Sequence, residues 1–213
     1  MDVDDTVKDT RSRLLVYFNR IFGKFFPDFP FPTLDDARKI GIRRSYLSRM
    51  NELGIDESVY DMLMEMIRGR EYLYGNASLV HEDIPKILEQ LEQKDIPTAL
   101  YLTAREESVT KHTREDLIVG GMPDRPVYAE SRGDVHTPKM KTEIAMRFAN
   151  RFPGIPIITI DDNQALAEHV HKENHPHHFT ILLKNPRARE GDGIIIAEWP
   201  EIPGVIERLL GQN

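Results

Sequence analysis

From residue 82 onward, short apolar runs alternate with amphipathic segments, and nothing else in the sequence limits the possible folds so strongly. A helical stripe (Ile84, Ile87, Leu88, Leu91) breaks at Lys94-Asp95 and feeds an apolar run over 99–102. The unit then repeats. Helical spacing over 106–119 stops at Gly120-Gly121, a short strand is predicted at 127–129, a helix at 141–152 and a strand at 155–160. A helix from residue 164, strands at 179–183 and 193–197, and a closing helix at 205–210 complete the series. Strands that alternate with helices predict an α/β fold, doubly wound around a mostly parallel sheet, with ligands at the carboxyl ends of the strands.

Residues 13–79 follow another rule. Their apolar positions keep helical spacing (Leu14, Leu15, Phe18, Phe22; Leu63, Met66, Ile67) and no strand pattern intervenes. They are expected to form a small all-helical insert, with residues 1–12 and 80–213 making the α/β core. The segment FFPDFPFP at 25–32 cannot be one helix, because Pro27, Pro30 and Pro32 interrupt it. It reads as a connection whose aromatic rings pack the helical insert rather than line a lid.

Composition removes several functions. The chain has no cysteine, which excludes disulfides, thiolate nucleophiles and Cys-ligated zinc and leaves oxygen and imidazole as ligands. The net charge of −7 comes without any block of Lys/Arg, so nucleic acid is not the expected main partner. No apolar run approaches the roughly 20 residues that span a bilayer, and a soluble cytoplasmic protein is expected. An acidic chain that handles an anion must supply positive charge locally, from a metal, a lysine or helix N-termini.

Four segments carry candidate chemistry. Asp2-Val3-Asp4-Asp5-Thr6 places two carboxylates two residues apart, so that an extended backbone points both to one side. One can attack phosphorus while the other moves the proton of the leaving oxygen and then of water. Thr103-Ala104-Arg105 follows the run at 99–102 and offers a hydroxyl and backbone N–H groups just before a helix, where a phosphate oxygen can sit; an ordinary N-cap is the plain alternative for Thr103. Lys141 can neutralise an attacking carboxylate and a phosphoryl group, with Lys139 a rival two residues earlier. The run IPIITI ends in Asp161-Asp162-Asn163, where adjacent carboxylates can hold a hard cation such as magnesium.

The ordered set DVDDT, YLTAR, MKTEIA and ITIDDNQA resembles the four motifs of haloacid-dehalogenase-like phosphatases, over essentially the whole core. The insert at 13–79 resembles the helical cap of the branch whose lid enters after the first motif. The resemblance implies a magnesium-dependent phosphohydrolase acting on a small phosphomonoester. It makes Asp2 the nucleophile and a metal ligand, and Asp4 the acid/base whose backbone carbonyl also meets the metal. Thr103, Ala104, Arg105 and Lys141 would hold the phosphoryl group, while Asp162 would be the principal metal carboxylate, helped by Asp161 through water. Asp4 argues against the family's dehalogenases, which lack that second acid. A phosphotransferase or mutase on the same aspartyl phosphate, and a non-catalytic domain of the same fold, are the competing readings.

Two departures stand out. The family has an apolar strand before its nucleophile, whereas only Met1 precedes Asp2; an apolar segment upstream of Asp2 is therefore expected in the natural protein. Asp5 stands where glycine is frequent. Elsewhere, His169, His171, His175, His177 and His178 crowd one segment, and a solvated helix end and loop is expected there rather than a metal site. The run 187–193 could form a phosphate-facing loop, but turn formation explains its glycines.

Overall fold

The computed structural model describes residues 1–67, 77–129, 137–173, 177–191 and 193–211. All strand pairs among these residues are parallel. β1 (Tyr101–Thr103) pairs with β2 (Val127–Ala129) on one side, and β3 (Ile157–Asp161), β4 (His178–Leu183) and β5 (Ile195–Ala197) follow one another on the other. Met1 and Asp2 fill the gap between β1 and β3. The Leu102 N–H donates to the Met1 carbonyl at 2.8 Å, the Asp2 N–H donates to the Ile160 carbonyl at 3.0 Å, and Asp2 pairs with Leu102 in parallel. The order is thus β2-β1-(Met1, Asp2)-β3-β4-β5, and the place expected for an apolar strand ending at Asp2 is held by these two residues.

The helices follow in chain order: α1 (Thr10–Phe25), α2 (Leu34–Ile40), α3 (Ile42–Glu52), α4 (Ser58–Ile67), α5 (Ile84–Glu92), α6 (Thr110–Val119), α7 (Thr137–Arg151), α8 (Gln164–Glu173) and α9 (Ile202–Leu209). Most element ends shift by one to four residues from the sequence reading, and two of the shifts have a visible local form. The segment at 106–119 opens as a short 3-10 turn, Glu107–Val109, and α7 begins at Thr137. The latter is consistent with Pro138, whose fixed φ and missing N–H suit a first helical turn.

Among the described residues the apolar side chains sort into two large clusters and a small one of Leu102, Met140 and Ile144 between β1 and α7. Val3, Val7, Leu88, Tyr101, Ile160, Ile181 and Trp199 pack around the sheet, whereas Leu15, Phe18, Phe22, Phe29, Tyr46 and Leu63 pack within α1–α4. In the second cluster Phe22 is fully buried and stacks on Phe26 at 4.9 Å and against Phe29 at 4.4 Å, so the Pro/aromatic segment serves packing. Local chemistry fixes these helix ends. The Asp9 carboxylate accepts from the Ser12 N–H at 3.3 Å and the Ser12 hydroxyl at 2.6 Å, which starts α1. A Thr33–Asp36 capping box starts α2. Gly41, at φ 88°, ends α2 and begins α3 with no other residue between them. Among the described residues no helix is long and apolar enough to cross a membrane.

Candidate active site

The site is built on the tight turn that follows Asp2. The N–H groups of Val7 and Lys8 both donate to the Val3 carbonyl, at 3.0 and 2.9 Å, and the chain passes through Asp5 at φ +58°. That left-handed conformation explains why glycine suits the position; Asp is among the few other residues that tolerate it. In return the turn gains a carboxylate: Asp5 accepts the Arg11 N–H at 2.8 Å and pairs with its guanidinium at 2.5 Å. From the far end of the chain, the Trp199 indole N–H donates to the Thr6 carbonyl at 2.9 Å in the buried interior and braces the same turn.

Asp2 is 5% exposed. The Lys141 ammonium lies 2.6 Å from its Oδ1 and 2.7 Å from Oδ2 of the fully buried Asp161, and the Thr6 hydroxyl donates to Asp2 Oδ2 at 3.2 Å. Asp2, Asp161 and Asp162 each offer a carboxylate oxygen, all within 4.8 Å of one another. Burial and the charge of Asp161 push Asp2 up to about 7 against the pull of Lys141. Burial likewise raises Asp161 and Asp162 above the usual carboxylate range. Burial alone would lower Lys141, but Asp161 and Asp2 outweigh it and hold the ammonium above its ordinary value. Of the two rival lysines only Lys141 faces this cluster; Lys139 is exposed and lies 3.9 Å from Glu143 one turn along α7.

Asp4 belongs to a second grouping. The Thr103 hydroxyl donates to its Oδ2 at 2.8 Å, and Arg105 donates from Nε at 3.0 Å to each oxygen and from Nη2 at 2.6 Å to Oδ1. A further bond from Arg105 Nη1 to the Thr113 hydroxyl at 2.9 Å fixes the guanidinium. Thr103 and Arg105, both expected to face a phosphoryl group, are therefore buried and turned onto Asp4, while Ala104 between them is exposed. Burial would raise Asp4, but the charge and hydrogen bonds of Arg105, with Thr103, hold it below the usual carboxylate range.

Sequence reasoning missed the rim. Oδ2 of Asp162 is approached by two guanidiniums, Arg11 Nη2 at 3.1 Å and Arg187 Nη2 at 3.2 Å. Asn185 positions this edge: its side-chain amide donates to the Asp162 carbonyl at 3.1 Å and accepts the Arg187 N–H at 2.9 Å. Residues 185–187 lie just past the carboxyl end of β4, the end where parallel sheets bind ligands, which is the signal that could have found them. A phosphate-facing loop at 187–193 was weighed and turn formation preferred; Arg187 reaches the acidic cluster.

The histidine-rich segment is corrected at one position. His178 is not solvated; it opens β4, is buried, and its Nε2 lies 2.9 Å from the Thr159 hydroxyl. His171 and His177 are exposed and His169 half-buried, while His175 lies outside the described residues.

The fold is that of the haloacid-dehalogenase-like hydrolases. The chain superposes on a predicted phosphoglycolate phosphatase of Haemophilus somnus 129PT with TM-score 0.66 and 14% identity, over 96% of this chain and 95% of that one. A family hydrolase of Deinococcus radiodurans R1, solved with bound phosphate and sodium, gives 0.62 and 14% over 97% and 93%. A candidate β-phosphoglucomutase of Thermotoga maritima gives 0.59 and 13% over 98% and 97%. No family model and no curated protein sequence matches the chain.

Proposed function

We propose that the chain is a magnesium-dependent phosphohydrolase that cleaves a small phosphomonoester through a phosphorylated Asp2, in the cytoplasm and with neither nucleic acid nor membrane as partner. One observation carries this reading: Lys141, buried between Asp2 and Asp161, holds a carboxylate at the centre of the sheet whose charge is only partly balanced. Unbalanced, water-poor carboxylates of this kind mark sites of chemistry more often than sites of support. The donor set fits magnesium, since Asp2, Asp161 and Asp162 supply only hard oxygen ligands and their mutual repulsion invites a cation. Asp2 and Asp162, with Asp161 and the Asp4 carbonyl, would hold it; when bound, magnesium supplies the positive charge that screens the phosphoryl oxygens from these acids.

In this reading the Asp2 carboxylate attacks phosphorus and the ester oxygen leaves with a proton from Asp4. Asp4 then takes a proton from water as that water attacks the aspartyl phosphate, which frees Asp2 and releases phosphate. Arg105 keeps Asp4 anionic, the state suited to the second step; the first requires Asp4 to leave this clamp. Lys141 remains beside Asp2 and offsets the charge of the phosphoryl group. Residues 13–79 form a helical cap over a core of residues 1–12 and 80–213, a division supported by the separation of the apolar cluster within α1–α4 from those around the sheet.

The test is phosphate release from a phosphomonoester panel with magnesium and after chelation. Release that needs magnesium is expected. Phosphate passed to an added sugar hydroxyl instead of water would make the chain a phosphotransferase, and no turnover of any ester would leave a non-catalytic domain.

A further inference from the structure

Arg187 holds more hydrogen-bonding capacity than its surroundings use. Its Nη2 shares Asp162 Oδ2 with Arg11, while its Nε is buried and meets no acceptor among the described residues. A buried N–H left without an acceptor costs about 1 to 3 kcal/mol, so such a group marks a place where an acceptor belongs. The side chain also bridges two parts of the molecule. It leaves the loop after β4 and brings Nη1 to the Gly41 junction of α2 and α3, where a Cβ would stand only 3.9 Å away.

We propose that Arg187, with Arg11 beside it, binds a second anionic group of the substrate, a carboxylate or a further phosphate, and so selects phosphomonoesters that carry one. The Nε and Nη2 edge of a guanidinium matches the two oxygens of a carboxylate or phosphate, and here only Nη2 has a protein partner. Asp162 sets the scale: its carboxylate lies within 4.8 Å of that of Asp2 and 3.2 Å from Arg187. A spacer of a few atoms between phosphoryl group and second anion fits that separation, whereas a long one does not. The substrate class is a compact phosphorylated hydroxy acid or a small bisphosphate, acted on by a core that would otherwise treat phosphate esters alike. This inference rests on the phosphohydrolase reading for the word substrate, but the anion subsite can be measured without turnover.

The binding experiment uses the full chain and two inert probes, methylphosphonate and phosphonoacetate, which differ by one carboxylate. Calorimetry with magnesium present should show phosphonoacetate bound about ten- to a hundredfold more tightly, the scale of one or two charge-assisted hydrogen bonds. Arg187→Gln should bring the two affinities within about threefold, and Arg187→Lys, which keeps a charge but loses the fork, should lose most of the preference. Arg187 is half-buried on a loop, and melting curves of both variants would verify folding. The turnover arm compares phospholactate, its amide and propanediol bisphosphate; Arg187→Gln should reduce kcat/KM for the two esters with a second anionic group far more than for the amide. Equal affinity of the wild-type chain for both probes, or a preference retained in Arg187→Gln, would overturn the proposal. Preferential binding without turnover of any ester would support the subsite and count against the phosphohydrolase.

Discussion

Lys8 and Lys141 are equally buried, each 4% exposed, and stand near the two ends of one turn-and-strand unit. Their surroundings differ in the number of carboxylates. Lys8 meets one carboxylate, Asp116 at 3.3 Å, and donates to the Ala77 carbonyl at 3.1 Å. It thereby ties the turn to α6 and to the segment returning from the helical insert. Lys141 meets two carboxylates, and Asp162 lies close by as a third. A balanced buried pair has nothing to gain from a ligand, while an excess of carboxylate can be relieved by a cation or a proton. The same residue types thus make a brace in one place and a reactive cluster in the other.

This contrast can be broken by substitution. Asp2→Asn should abolish turnover yet leave thermal stability unchanged or raised, because it removes the attacking oxygen and leaves Lys141 a one-to-one pair with Asp161. Loss of fold in Asp2→Asn would place that cluster among the braces. Asp4→Asn should lower kcat by about 100- to 10,000-fold through lost proton transfer, most for esters with poor leaving groups; identical losses for good and poor leaving groups would remove Asp4 from that role. Asp116→Asn should behave oppositely to Asp2→Asn. It strands Lys8 in the interior and should cost about 3 to 5 kcal/mol of stability in denaturant melts, with turnover per folded molecule within a few-fold of wild type. A stable Asp116→Asn would show that the pair is no brace.

The smallest expected effect is a pH dependence. Asp2 is raised from 3.8 to about 7, so the folded state holds its proton more tightly than the unfolded one. Its favourable contribution is present below the unfolded value and is lost as pH rises through about 7, and Asp5, also raised to about 7, adds to the trend. Asp4, held low, titrates beneath this window. The melting temperature without magnesium should therefore fall across that interval, and the increment given by magnesium should grow over the same range. A magnesium increment independent of pH would detach the cation from Asp2.

The order of strands and helices was legible because burial on both faces forces continuous apolar runs, as in β4, with five of its six residues buried. Of the four motif segments, those at 101–105 and 157–163 were legible because each lies where a strand gives way to a turn or helix, while the segment around Lys141 lies within α7. What could not be read was which partner each side chain takes. Arg105 was expected to face phosphate, yet a buried guanidinium needs a carboxylate, and Asp4 lies 101 residues away in sequence. Trp199, 193 residues from Thr6, is likewise joined to its turn only by folding. Arg187 stood in a run weighed as a phosphate-facing loop, but the glycines at 191 and 193 favoured a plain turn and nothing local shows that its guanidinium turns back to Asp162. Asp5 was noted as a departure from glycine, but its pairing with Arg11 depends on a helix start that local sequence does not specify.

The central claim is that Asp2 carries the phosphoryl group during turnover. Rapid acid quench of the chain with magnesium and excess p-nitrophenyl phosphate, followed by borohydride reduction of the acyl phosphate and peptide mapping, reads this directly. The account predicts reduction at Asp2, converting it to homoserine, and none in Asp2→Asn. Steady release of phosphate by a chain in which Asp2 is never labelled, or by Asp2→Asn at the wild-type rate, would contradict it.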